Sequence, residues 1–154
     1  MREILFRGKR TDNGELVSGY YVVRKRPYFK DKGVNLEHII YDNMEIEDGN
    51  YKQFVDTIMT TYVVDPETIG QYTGLTDKND NKIFEGDIVW YNYEEERGII
   101  QWDNDTARFI ITCSTFTVDF DNVYGYELEI VGNVYDNPEL LKQTKKSNFF
   151  KITS

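Results

Sequence analysis

The chain has one cysteine and one histidine, and that scarcity removes whole classes of chemistry. Cys113 alone excludes an internal disulfide framework, which suits a reducing compartment. With His38 the sole imidazole, neither a zinc site nor a histidine-based metal cluster can be assembled within one chain. Three prolines and 11 glycines in 154 residues are too few for a low-complexity or disordered chain. No apolar run approaches the roughly 20 residues that a membrane span needs. The first residues, Met1 to Arg7, lack the apolar stretch of a signal peptide. A soluble, cytoplasmic protein without a cofactor is expected.

Aromatic residues, by contrast, are plentiful. Twelve Tyr, nine Phe and two Trp favour half-buried, pleated surfaces, and 40% hydrophobic content supports one ordinary core. The net charge of −9 is unevenly spread. Residues 1–32 carry nine basic groups against four acidic, residues 33–141 five against 23, and residues 142–154 four against none. Two basic ends therefore flank an acidic middle. Either each end lies against the acidic surface of its own domain, or one docks on a neighbouring subunit.

Alternation and turn residues predict many short strands: Glu3 to Arg7, Tyr20 to Val23, Glu37 to Tyr41 and residues 57–64, with 51–56 ambiguous between helix and strand. Strands over Asp87 to Tyr93 and Arg97 to Trp102 form a hairpin around Glu94 to Glu96. Arg108 to Cys113, Thr115 to Phe120 and Glu127 to Tyr135 follow. Phe116, Val118 and Phe120 share one face. Asn137 and Pro138 are placed to cap and open a short C-terminal helical turn. This pattern predicts an all-β protein with a small SH3-like β-barrel core and additional N-terminal strands. One β domain over 1–141, with a subdivision near Asp65-Pro66, and a basic tail over 142–154 complete the layout. Ile88, Trp90, Ile100 and Trp102 are expected to be structural, at least two of them largely buried.

Candidate chemistry is sparse. Glu85 and Asp87 lie two apart, so an extended segment would put both carboxylates on one side. Such a pair could do the acid–base work of a hydrolase; the favoured reading is that they shape a turn and cap backbone amides. Asp77, Asn79 and Asn81 have the oxygen spacing of a calcium loop, but Lys82 and Ile88 stand where its glycine and bidentate glutamate are needed. Cys113 alternates with Phe109 and Ile111, which predicts a buried, inert thiol. Trp90, Tyr91, Tyr93 and Trp102 could offer stacking faces. The acidic middle argues against phosphate there, leaving Arg24, Lys25, Arg26, Tyr28, Phe29, Lys30 and Lys32 as the one credible nucleic-acid or partner surface. A solvated hairpin tip is the competing reading.

Longer motifs carry a resemblance. Tyr72-Thr-Gly-Leu75, Asp77-Lys-Asn79 and Ile83-Phe-Glu-Gly-Asp-Ile-Val89 resemble the hallmark of the YopX family of bacteriophage and prophage proteins. Val64-Asp-Pro-Glu-Thr-Ile-Gly70 leads into that hallmark, and Glu129-Ile-Val-Gly-Asn-Val-Tyr-Asp-Asn-Pro-Glu-Leu140 resembles its closing motif. The resemblance spans roughly residues 1–141 and departs at Asp80, where the family usually has glycine. It implies a mostly β, phage-encoded protein in the bacterial host cytoplasm, with no transferable catalytic residue. The expectation is a non-enzymatic accessory protein acting by protein–protein contact, as a homo-oligomer or on an unknown phage or host protein. Lys142, Lys145, Lys146, Phe149, Phe150 and Lys151 are the candidate oligomer contacts. A nucleic-acid-binding module using the basic N-terminal patch is the alternative, and a Glu85/Asp87 hydrolase ranks third.

Overall fold

A computed structural model describes residues 1–25, 36–42 and 60–141. It divides into two compact units, one formed by Glu3–Gln71 and the other by Met1–Arg2 with the chain from Tyr72 onward. Both are mainly antiparallel β-sheet.

In the first unit, β1 (Phe6–Lys9), β2 (Leu16–Lys25), β3 (Leu36–Asp42) and β4 (Thr61–Val63) lie in the order β4-β3-β2-β1. The opening residues of β5 (Gly70–Thr76) pair with β1 through Phe6↔Gln71 and Arg7↔Gly70. The Asp12-Asn-Gly14 turn forms as its residues predict. Gly14 takes φ +71°, its N–H donates to the Arg10 carbonyl, and Asn13 Oδ1 accepts from the Glu15 N–H. β1 starts three residues later than expected, because Gly8 and Lys9 pair with Val17 and Leu16 rather than beginning the turn. Packing at Gly8 is tight, since a Cβ would stand 3.2 Å from Val64 Cβ. Leu5, Ile39, Ile40 and Val64 are buried in this unit. Of the strand expected over 57–64, residues 60–64 are described and β4 takes 61–63, with Val64 bridging to Arg10; the ambiguous residues 51–56 lie outside the described residues.

The second unit begins with the rest of β5, which forms a hairpin with β6 (Lys82–Phe84) through Tyr72↔Phe84 and Thr76↔Lys82. β7 (Asp87–Tyr91), β8 (Glu96–Asp103), β9 (Arg108–Thr112) and β10 (Thr117–Asp119) then form a meander. β11 (Leu128–Asn133) returns beside β7, giving the order β10-β9-β8-β7-β11. Alternation sends Ile100, Ile111 and Cys113 inward with Ile83, Val89, Tyr91, Val123 and Leu128. Each fully buried aliphatic side chain here is worth about 1.5–3 kcal/mol over leaving it in water. Phe116, Val118 and Phe120 pack against this cluster together, as their spacing predicts.

Among the described residues no ladder joins β10 to β11, so the sheet is open and the expected barrel is not closed by hydrogen bonds. β10 is only three residues long and gives way to a 3₁₀ turn, Phe120–Asn122, so little strand is offered for a further ladder. Ile88 and Ile100 are fully buried, but Trp90 is half-buried and Trp102 is 39% exposed, its ring edge-on to Phe109 at 4.9 Å. Helix begins at residues 139–141 behind Pro138. Asn137 stands just before it; its carbonyl accepts from the Leu140 N–H at 3.1 Å, and its Oδ1 reaches back to accept from the Asn133 N–H at 3.2 Å.

Candidate functional site

The long motif from Gln71 to Val89 is held together by its own polar side chains. Asp77 is 3% exposed, and its carboxylate accepts three backbone N–H bonds: Asn79 at 2.9 Å and Asn81 at 3.0 Å on Oδ1, Ile130 at 3.0 Å on Oδ2. It closes the 77–81 turn and ties that turn to β11. Burial pushes its carboxyl up, but the bonds from Ile130, Asn81 and Asn79 outweigh this and hold it below the usual carboxylate range. The oxygen that resembled the first ligand of a calcium loop thus serves the backbone. Three residues on, Asp80 adopts φ +63°, the left-handed conformation that favours glycine.

Asp87 has a similar role. It is 1% exposed, and Oδ2 accepts from the Phe84 N–H at 2.8 Å across the Glu85-Gly86 turn. Gly86, at φ +91°, donates its N–H to the Ile100 carbonyl and accepts from the Val134 N–H. Thr73 Oγ1 donates to the Ile83 carbonyl and accepts from the Leu75 N–H. Asp87 therefore does what the turn-shaping reading required, while Glu85 is half-buried beside it.

The single cysteine and the single histidine are also engaged. Cys113 lies in the apolar cluster, where burial and the nearby Glu96 and Glu94 carboxylates push its thiol up to about 12. His38 Nδ1 is 2.6 Å from Tyr21 Oη, with the two rings stacked at 5.9 Å. A cleft of about 400 Å³ beside it is walled by Leu36, Val63, Val64 and Pro66, with Thr11, Glu37 and His38 as its polar members. Among the described residues no three His, Cys, Asp or Glu side chains group as a metal site would need.

Of the basic surface, Arg24 and Lys25 end β2. The Arg24 guanidinium is paired at 2.7 Å with the buried Glu37 carboxylate, and Arg10 with Asp12 at 2.6 Å. Arg26, Tyr28, Phe29, Lys30 and Lys32 lie outside the described residues, as do Lys142, Lys145, Lys146, Phe149, Phe150 and Lys151. Of the four aromatic stacking candidates, Tyr91 is 4% exposed and belongs to the core, because alternation turns it inward opposite Leu128.

One surface was not apparent from the sequence. Tyr124 and Tyr126 project from a 3₁₀ turn, Gly125–Glu127, with rings stacked at 5.4 Å and an interplanar angle of 11°. Both are well exposed, as is Tyr93 on the β7–β8 connection. The Asn92 N–H donates to the Glu127 carbonyl at 3.0 Å, which joins that connection to the turn. Alternating strand patterns carry no signal for such a turn, since it lies between strands.

Comparison with known proteins adds the following. A family model described as YopX protein matches residues 6–142. A solved structure, the crystal structure of protein EF1440 from Enterococcus faecalis, is 24% identical, covers 92% of this chain and 99% of its own, and superposes with a TM-score of 0.48. No curated protein matches. Among the described residues no helix is long and apolar enough to cross a membrane.

Proposed function

The chain belongs to the YopX family, and from that premise we propose that it is a phage- or prophage-encoded, non-enzymatic accessory protein of the host cytoplasm. It acts through protein–protein contacts and assembles as a homo-oligomer. The observation that carries this reading is how the side chains divide. Four of the candidates for chemistry are spent internally: Asp77 and Asp87 on backbone amides, Cys113 in the core, His38 on Tyr21. Large apolar rings are at the same time left open, Tyr20, Tyr93, Tyr124 and Tyr126 each more than half exposed, which is the material of contact surfaces. Segregation of charge into an acidic middle and basic ends supplies complementarity between copies. The meander with β11 returned beside β7 is also the strand order from which a small SH3-like barrel would be rolled, and that barrel is part of the proposed architecture.

Light scattering on the full chain, with titrations of single-stranded DNA, double-stranded DNA and RNA at low and high salt, tests the reading. A mass above one chain with no salt-sensitive nucleic-acid binding is expected. A monomer that binds nucleic acid, weakening steeply with salt, overturns it in favour of a nucleic-acid module.

A further inference from the structure

Resting on the homo-oligomer reading, the geometry points to the Tyr93, Tyr124 and Tyr126 surface as the place that receives the basic segment 142–154 of a second copy of this chain. Tyr93 is 76% exposed, Tyr124 64% and Tyr126 68%, a concentration of ring surface that a soluble chain leaves open mainly where something binds. The surface is held in shape before any partner arrives. The Tyr124 N–H donates to the Glu127 carboxylate at 2.9 Å, and the Glu127 N–H to the Tyr124 carbonyl at 3.0 Å. At Gly125 a Cβ would stand 2.0 Å from the Thr76 carbonyl oxygen, so the turn seats directly on backbone. A rigid platform lowers the ordering cost of binding.

Charge selects the occupant. Glu94 and Glu95 are exposed on the same connection as Tyr93, and Glu127 lies next to Tyr126. Burial raises the Tyr91 hydroxyl, and Glu127 and Glu94 raise it further, as Glu96 and Glu94 do the Cys113 thiol, so the negative field extends into the sheet. Such a surface repels phosphate and attracts cations. Segment 142–154 brings four lysines, no acidic residue, and Phe149 and Phe150. Ammonium groups over tyrosine faces and phenylalanines against their edges would satisfy both halves of the site. Donor and acceptor patches differ, so each copy carries one of each and can give its tail to a neighbour while receiving another.

The test is the mass of full-length variants by light scattering at low salt, each with a far-ultraviolet spectrum matching the parent. The pair Tyr124→Ser and Tyr126→Ser, the pair Glu94→Lys and Glu95→Lys, and the pair Lys145→Glu and Lys146→Glu should each reduce the assembly to single chains. Combining the two charge reversals should restore it, which a merely structural role for these residues would not do. If the tyrosine and glutamate pairs keep the parent mass while the lysine pair loses it, the tail docks elsewhere. The placement is then wrong and the oligomer reading stands. Failure of the combined reversal to restore mass overturns the placement as well. A parent chain that is already single overturns the oligomer reading, and the placement falls with it.

Discussion

Replacing Asp80 with glycine should stabilise the protein. Asp80 sits at φ +63° in the 77–81 turn, where its N–H donates to the Asp77 carbonyl at 3.0 Å. Its side chain is exposed, so the substitution removes no buried group. An L-residue in the left-handed region costs about 1–2 kcal/mol relative to the right-handed one, less for aspartate than for most. Glycine avoids that cost but adds freedom to the unfolded chain, returning about 0.5–1 kcal/mol. The balance is a gain of a few tenths to about 1 kcal/mol, or up to about 4 °C in melting temperature for a domain of this size. Asp80→Ala is the control: alanine keeps the Cβ and loses the local polar contacts that let aspartate tolerate this conformation, so it should destabilise. Urea titration followed by tryptophan fluorescence reports both, because Trp90 and Trp102 lie in the same unit as the turn. A glycine variant no more stable than the parent, or an alanine variant that gains, would refute the reasoning.

Asp77→Ala strands three backbone N–H groups and should cost about 2–3 kcal/mol by denaturant titration. The folded carboxyl is held below its unfolded value, so its contribution is present above the unfolded pKa and is lost as pH falls through the folded one. Asp77→Asn should therefore flatten the acid limb of the stability curve below about pH 4. At Gly98 a Cβ would stand 2.3 Å from Ile111 Cγ2 and 3.0 Å from Cys113 Sγ, so Gly98→Ala should cost about 1–3 kcal/mol through overpacking. With its thiol raised to about 12, Cys113 should resist a disulfide reagent at pH 8 in the folded chain and react promptly once urea unfolds it.

Strand positions were legible wherever apolar and polar residues alternate, as in β8 and β9, because one buried face enforces a period of two. The β1–β2 turn was legible from Asp12-Asn-Gly14, and the departure from glycine at position 80 marked a real left-handed residue. What failed did so for lack of local signal. β1 starts three residues late and ends two later because its limits are set by pairing with β2, not by Gly8. Trp90 and Trp102 follow the alternation yet stay partly exposed, since the faces they occupy are only partly covered. The role of Asp77 depends on Ile130, 53 residues away, and no spacing rule within the turn could find that bond. The Tyr124–Tyr126 pair escaped for the same reason: its stacking is made by a 3₁₀ turn whose sequence reads as connection.

Sedimentation equilibrium of the full chain, run across protein concentration and salt, tests the proposed assembly most directly. A mass above one chain at low salt, falling as salt rises and screens the lysine–carboxylate contacts, is the predicted result. A single-chain mass at every concentration and salt would contradict it.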